Sequence, residues 1–518
     1  MGLGAISAVA LGSAAALTAN AEPKPDESSL PRRYDAEHVA AYFAERPWAV
    51  RRRCWEVVRQ VTPLLLRLLF DWKMGALQDD AKCKAYAVEV REVLADLGPA
   101  FIKAGQALSI RPDLLPEVVL KELQRLCDDC PAITWAEARA TLEAELGQSL
   151  GDVFADLDDS PQPVAAASLG QVYRWKRKRD GSTVAVKVQR PGMAHIVVLD
   201  LYILRIVARF VRFAVRQISW TRVDHVVLLD AWASGTVAEL DYENEARNQD
   251  RFREELALRM RGRVYVPQVD HCLSTRRVLV TEWIDGPRLA DCSPEVIRRL
   301  VPVGVECFVA QLLDMGVFHA DPHPGNLLVK DGCLVLIDFG LVAEIDRVSM
   351  DAIASSCIHL ISADWQALFD DLIALQFLPP DADRDTILPP VQSVLQQGMR
   401  AGANIRRRAQ NFQAISDDMN KLFFDLPFMV PAYFALITRA LCVLEGIALV
   451  GNPEFDLFWS AYPYALVRAR ALLGTRRTVE LLTVAAAQAA SQLTAEERYA
   501  VWQHGPRSSI GTTDALDG

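Results

Sequence analysis

Between His319 and Gly340 the chain carries His319-Ala320-Asp321-Pro322-His323-Pro324-Gly325-Asn326, a short apolar strand from Leu334 to Ile337, and Asp338-Phe339-Gly340. Few patterns constrain a fold as tightly. An Asp, an Asn five residues on and a second Asp behind a strand are useful only if the chain folds them to one point. Their chemistries are complementary: one carboxylate can ligate a divalent ion, the amide can hold a second, and the other carboxylate can orient or deprotonate a hydroxyl. Asp338 is assigned the first metal, Asn326 the second and Asp321 the proton. A lone Asp-Phe-Gly is only a strand entering a turn. Both segments in this order and at this separation predict a site for metal-bound phosphates.

The rest of the composition fits a folded body around such a site. Of 518 residues, 51% are apolar and 24% charged, so a large core can be buried. A net charge of −10 argues against nucleic acid as the main partner. The ten Cys are scattered without a disulfide framework, which points to a reducing compartment, and the lone Cys127-Asp-Asp-Cys130 reads as ordinary helix surface. The first twenty residues carry no charge and are rich in Ala, Gly, Ser, Leu and Val. They read as an organelle or export signal lacking a basic start, or as a trimmed transit peptide. No later stretch has the apolar length of a membrane span. The nearest, Leu426 to Val450, is interrupted by Pro427, Pro431, Arg439 and Glu445 and reads as a buried helix pair.

From Tyr34 to about Leu146 the pattern is helical. Arg51-Arg52-Arg53 precedes Leu64-Leu65-Leu66, a combination that suits either an anionic membrane surface or packing on the same domain. Lys103, Gly105 and Gln106 follow in a small-residue segment, where close approach of another surface would bury two strong hydrogen-bonding groups. The chain then enters β structure at Ala165-Ala166-Ala167-Ser168-Leu169-Gly170-Gln171-Val172. After a turn comes Val184-Ala185-Val186-Lys187, which matches the strand lysine of kinases that contacts the α- and β-phosphates. The preceding segment occupies the place of a Gly-rich phosphate loop, but Ala replaces Gly; each methyl limits φ and keeps the backbone from closing on phosphate in the usual way. Arg205, Arg209, Arg212 and Arg216 share a helix face opposite an apolar stripe, as expected for a solvated face or for lipid headgroups. Glu239 to Ala246 opens an acidic helix from which Glu245 is assigned to pair Lys187. Arg277 to Trp283 reads as the strand and hinge between two lobes, with the backbone of Glu282 to Ile284 at the adenine edge.

Taken together, Lys103-x-Gly105-Gln106, the Ala-rich loop, Glu239-x-Asp241 and the His319–Asn326 segment resemble the UbiB family of atypical kinase-like proteins, the AarF-domain or ADCK group. The resemblance covers roughly Tyr34 to Arg470. It implies an α+β, two-lobed protein-kinase-like fold whose helical N-terminal extension packs over the active site, with Lys103 and Gln106 where a peptide substrate would lie and Glu239 partnering Lys103. It implies ATP and Mg²⁺ as cofactors, with Lys187, Glu245 and Asp321 catalytic. Ala165, Ala166, Ala167, Ser168, Gly170, Val172, Glu282 and Ile284 would line the nucleotide, and Lys103, Gln106, Glu239 and Asp241 would regulate it. The resemblance implies an ATPase or small-molecule kinase that supports the synthesis or handling of prenylated quinone lipids. The presequence is similar to plastid and cyanobacterial members, which implies a chloroplast plastoglobule or thylakoid setting, with mitochondrion or bacterial membrane as alternatives.

The expected organisation is a targeting segment over 1–30, the extension over 31–160, an N-lobe over 161–285, a C-lobe over 286–475 and a C-terminal helix with a disordered tail over 476–518. Expected partners are ATP or ADP, a membrane surface or lipid-droplet-like compartment and lipid-biosynthesis enzymes, with no nucleic acid. A pseudokinase scaffold is the rival reading. A protein kinase acting in trans is disfavoured, because Ala320 stands where protein kinases have Arg before the catalytic Asp and no Ala-Pro-Glu follows Gly340.

Overall fold

The computed structural model describes residues 30–452 apart from 77–78, 110–114, 116, 128–131, 167–168, 219–224 and 402–430, with isolated residues from 455 to 483. The leader, Asp128 to Cys130 of the Cys pair and the tail from Gly505 lie outside the described residues.

The fold is easiest to derive from one strand. Thr183–Gln189 alternates strictly, so Val184, Val186 and Val188 are at most 3% exposed on one face while Ala185 and Lys187 turn to the other. Its buried face meets Tyr173, Trp175 and Phe154, with Tyr173 and Trp175 stacked at 4.8 Å. The opposite face is left to form the roof of a cleft.

In chain order the extension comprises α1 (Ala36–Ala44), α2 (Pro47–Lys73), α3 (Asp80–Leu97), α4 (Pro99–Leu108), α5 (Glu117–Gln124), α6 (Trp135–Leu146) and α7 (Leu150–Val153). Helix α6 starts with a reciprocal cap between Thr134 and Glu137. Next come β1 (Phe154–Ala155), β2 (Ala165–Ala166), β3 (Gly170–Arg177) and β4 (Thr183–Gln189), then α8 (Met193–Ile218), α9 (His225–Ala238), α10 (Tyr242–Met260), β5 (Val264–Tyr265) and β6 (Val278–Glu282). Strands β1-β3-β4-β6 form an antiparallel sheet with β2 added to β3. The second lobe holds α11 (Pro294–Ala310), β7 (Val317–His319), β8 (Leu327–Lys330), β9 (Cys333–Leu336), β10 (Val342–Glu344), α12 (Arg347–Ile361), α13 (Trp365–Ala374), α14 (Arg384–Ala401) and α15 (Ala432–Gly451). Its core runs from Phe252 and Leu256 of α10 through Phe308 and Phe318 to Leu444 of α15. A further core joins α1 to α8 and α9 through Phe43, Val197, Leu201 and Leu240, fastening the extension to the first lobe.

Three readings of the sequence need correction. The segment read as a helix pair contains, in its described part, one uninterrupted helix, α15, capped by Pro431; Arg439 does not break it, because its side chain has an ionic partner elsewhere. Arg205 of α8 does not belong to a free basic face: it bonds Asp230 of α9 at 2.8 and 3.1 Å. Glu239 lies in the turn before α10 and not within that helix. No helix among the described residues is long and apolar enough to cross a membrane.

Candidate active site

Helix α10 begins at Tyr242 because the Asp241 carboxylate caps it, accepting the Glu243 amide at 3.1 Å. That start turns Glu245, 3% exposed, towards β4. Lys187 donates to both Glu245 oxygens at 2.8 and 3.0 Å and reaches Asp338 at 3.4 Å. The Tyr242 ring lies 5.1 Å from the same ammonium and adds a cation–π contact.

The charges hold one another. Burial lowers the Lys187 pKa, but Asp338 and Glu245 outweigh it and raise it well above its ordinary value. Burial drives the Glu245 carboxyl up to about 7 against the pull of Lys187. Asp338 is lowered to about 2, since the Lys187 ammonium, the Gly340 amide, His319 and Lys103 together overcome its desolvation. Its backbone sits at φ +62°, a left-handed conformation uncommon for a non-glycine residue and typical of functional turns.

The neighbouring segments are locked in place. The Asp321 amide donates to His319 Nδ1 at 3.2 Å, and His319 Nε2 donates to the Ile337 carbonyl at 3.3 Å, which fixes the tautomer. Asn326 donates its side-chain amide to the Asp321 carbonyl at 3.1 Å. Phe339 is fully buried, 5.0 Å from Phe252 of α10 and 5.2 Å from His319, and Asn248 donates to its carbonyl. The motif is thereby packed against the helix that carries Glu245.

The nucleotide-lining residues fall into two groups. Ala165 and Ala166 pair with Val172 and Gln171, and Val172 lies opposite Lys187. At Gly170 an added Cβ would run into the Val188 carbonyl and the Tyr242 hydroxyl, so the close approach of backbone requires glycine. Ala167 and Ser168 lie outside the described residues. Glu282 turns its side chain to Lys330 at 2.9 Å and to Tyr265, and the Trp283 amide is taken by the Thr183 carbonyl at 3.1 Å. An adenine edge would therefore use the other backbone groups between Glu282 and the buried Ile284.

Among the described residues, the extension reaches the same site at Lys103. Lys103 of α4 pairs with Glu239, and Glu239, Asp321 and Asp338 raise its pKa despite burial. Gln106, assigned to the site from sequence, is not there: its amide donates to the Leu126 carbonyl at 3.3 Å inside the extension. Asp241 likewise serves as a helix cap. The residue missed is Arg439, whose guanidinium lies 2.7 Å from Asp321 Oδ1. Ala320 is fully buried where protein kinases carry Arg, and α15 brings a cation to the Asp321 carboxylate. A lone Arg inside an apolar helix was the available signal, because a half-buried guanidinium needs a partner.

Among the described residues no three His, Cys, Asp or Glu side chains gather to cage a metal. Asp338 and Asn326 offer a carboxylate and an amide oxygen, which suit a small divalent ion that completes its shell with water and phosphate.

The ABC1 atypical kinase-like domain profile matches residues 125–372. The chain is 38% identical to Protein ACTIVITY OF BC1 COMPLEX KINASE 3, chloroplastic, of Arabidopsis thaliana, over 83% of this chain and 60% of that protein. It thus spans about three fifths of that relative. It is 40% identical to the uncharacterized protein slr1919 of Synechocystis, over 87% of this chain and 78% of that one. Among solved structures, the complex of Rv3197 with erythromycin from Mycobacterium tuberculosis is similar at TM-score 0.46 and 23% identity, over 73% of this chain and 94% of that chain. The chain belongs to the ABC1 atypical kinase-like family, with relatives that are chloroplastic in Arabidopsis and others from cyanobacteria.

Proposed function

We propose that this protein binds ATP with Mg²⁺ and acts as an atypical kinase or ATPase supporting prenylquinone or other isoprenoid lipid metabolism at a membrane, in a chloroplast plastoglobule or thylakoid setting. The observation that carries the reading is Lys187 held by Glu245 at 2.8 Å and within 3.4 Å of Asp338, with Phe339 packed beneath. In this reading Lys187 binds the α- and β-phosphates and Glu245 keeps it extended. Asp338 and Asn326 would hold Mg²⁺, which when bound neutralises charge on the transferring phosphoryl group. Asp321 accepts the proton of the attacking hydroxyl or water, and Arg439 orients that carboxylate.

The family resemblance would put Lys103, paired with Glu239, where a peptide would lie, which favours a small acceptor or water over a protein. The same contact favours a second reading, a pseudokinase scaffold switched by nucleotide. Turnover of ATP by the purified full chain separates the two. It should require a divalent ion and respond to anionic liposomes and a prenylquinone head-group analogue. Nucleotide binding with no turnover under any of these conditions would leave the scaffold.

A further inference from the structure

Helix α2 carries an outward stripe that the catalytic reading does not use. Trp48, Arg51, Trp55, Arg59, Leu66 and Leu69 recur on one side of the helix, and Lys73 closes the row. All are exposed: Trp48 at 58%, Trp55 at 53%, Leu66 at 62% and Leu69 at 58%, with Phe70 beside them at 66%. The stripe contains no acid although the chain as a whole carries −10. Glu56 stands on its flank, engaged by Arg52 at 3.2 Å and Arg53 at 3.0 Å. The inner side is already satisfied, with Leu64 buried and Arg53 bonded to the fully buried Asp200 of α8 at 2.7 Å. Helix α8 repeats the pattern: its apolar row is covered at Leu199 and Ile203 and continues bare at Ile206, Phe210 and Phe213, beside the exposed Arg209.

We infer that the outer face of α2 seats on an anionic lipid surface. Over 27 residues the helix is about 40 Å long, enough to lie along a bilayer with its tryptophans at headgroup level, Leu66, Leu69 and Phe70 at the acyl boundary and its cations on phosphates. A second copy of the chain is a poorer occupant, because an isologous contact would set one acid-free cationic row against another. The inference shares only the membrane setting with the proposed function; nucleotide chemistry plays no part in it.

The test is co-sedimentation of the purified full chain with vesicles of phosphatidylcholine alone and of phosphatidylcholine with phosphatidylglycerol, at low and high salt. Binding should favour the anionic vesicles and weaken with salt. The triple change Arg51→Gln, Arg59→Gln, Lys73→Gln should lose about fivefold per charge, roughly a hundredfold in all, on anionic vesicles only. The triple change Leu66→Ser, Leu69→Ser, Phe70→Ser should lose at least about tenfold on both. These side chains are exposed, so thermal unfolding and ATP turnover without vesicles should match the parent. Unchanged vesicle binding by both variants overturns the inference even if turnover is normal. So does a dimer in solution that the Leu-Leu-Phe variant alone dissociates. Absent turnover with intact lipid binding removes the enzymatic reading and leaves this one standing.

Discussion

Two lysines meet two glutamates within one short stretch of chain, and they do opposite things. Lys187 comes from the sheet and Lys103 from the extension; each keeps 21% of its side chain exposed, and their partners Glu245 and Glu239 are 4% and 11% exposed. The first pair also reaches Asp338 and points into the cleft. The second ties a separate helix across the front of it. Similar chemistry therefore builds a phosphate-binding lysine in one case and a clamp in the other, and the difference lies in which element delivers the ammonium. A Lys on a strand of the cleft roof has nowhere else to go, whereas a Lys on a helix fastened through a separate core can leave.

The sharpest way to break this comparison is at Asp338, which lies 3.4 Å from the first lysine and feels the second only through its charge. Asp338→Asn should reduce divalent-dependent ATP turnover by about a hundredfold to a thousandfold, as expected when a charge stabiliser of the transition state is removed. Asp321→Asn should lose turnover on the same scale while nucleotide binding persists; normal turnover in either variant removes that residue from the machinery. The clamp is tested next. Lys103→Glu and Glu239→Lys should each loosen the extension, and the double swap should recover part of the loss, with a coupling of about 1–3 kcal/mol. Thermal stability and nucleotide affinity of the four proteins measure it, and zero coupling in both means the clamp does not act. At Arg439, change to Gln should lower turnover about tenfold with little effect on nucleotide affinity, since the ionic contact that holds the Asp321 carboxylate is lost. Equal turnover would confine Arg439 to packing.

The smallest effect concerns pH. Burial raises Glu245 to about 7 from an ordinary 4.5, so the folded protein holds that proton more tightly. Its stabilisation is complete below the ordinary value and fades as pH rises through 7. Glu245→Gln cannot ionise and should flatten the dependence of Tm on pH between about 5 and 8. A curve of unchanged shape would mean that the Lys187 partner keeps Glu245 ionised throughout.

Much of the site could be read in the chain because its residues are fixed by local motifs. Lys187 follows from strand alternation, Asp338 from the turn after a strand, and Glu245 from an acidic helix start. What could not be read depended on distant parts of the chain. Arg439 stands far along the sequence from Asp321, and an Arg in an apolar run looks the same whether it interrupts a helix or reaches out of one. Gln106 sits three residues from Lys103, yet on α4 the two side chains diverge, one to Glu239 and one to Leu126. Asp241 did carry a signal, the acidic residue just before a helix, but its place beside Glu239 suggested a shared task. The row on α2 could be read two ways for another reason: an apolar face that meets lipid has the composition of an apolar face packed in a core.

The ionic contacts of Asp321 and Glu239 also bear on how far the chain can be shortened. The family profile ends at residue 372 and begins at 125, so it excludes both Arg439 and Lys103. A fragment cut to that span would retain Lys187, Glu245, Asn326 and Asp338, and would still look complete by motif. It would nevertheless carry two carboxylates stripped of their cations at the mouth of the cleft, and lack Ile437, Ala440 and Leu444, which fill the floor of the second lobe. Such a piece should be poorly soluble and inert for reasons unrelated to its nucleotide motifs.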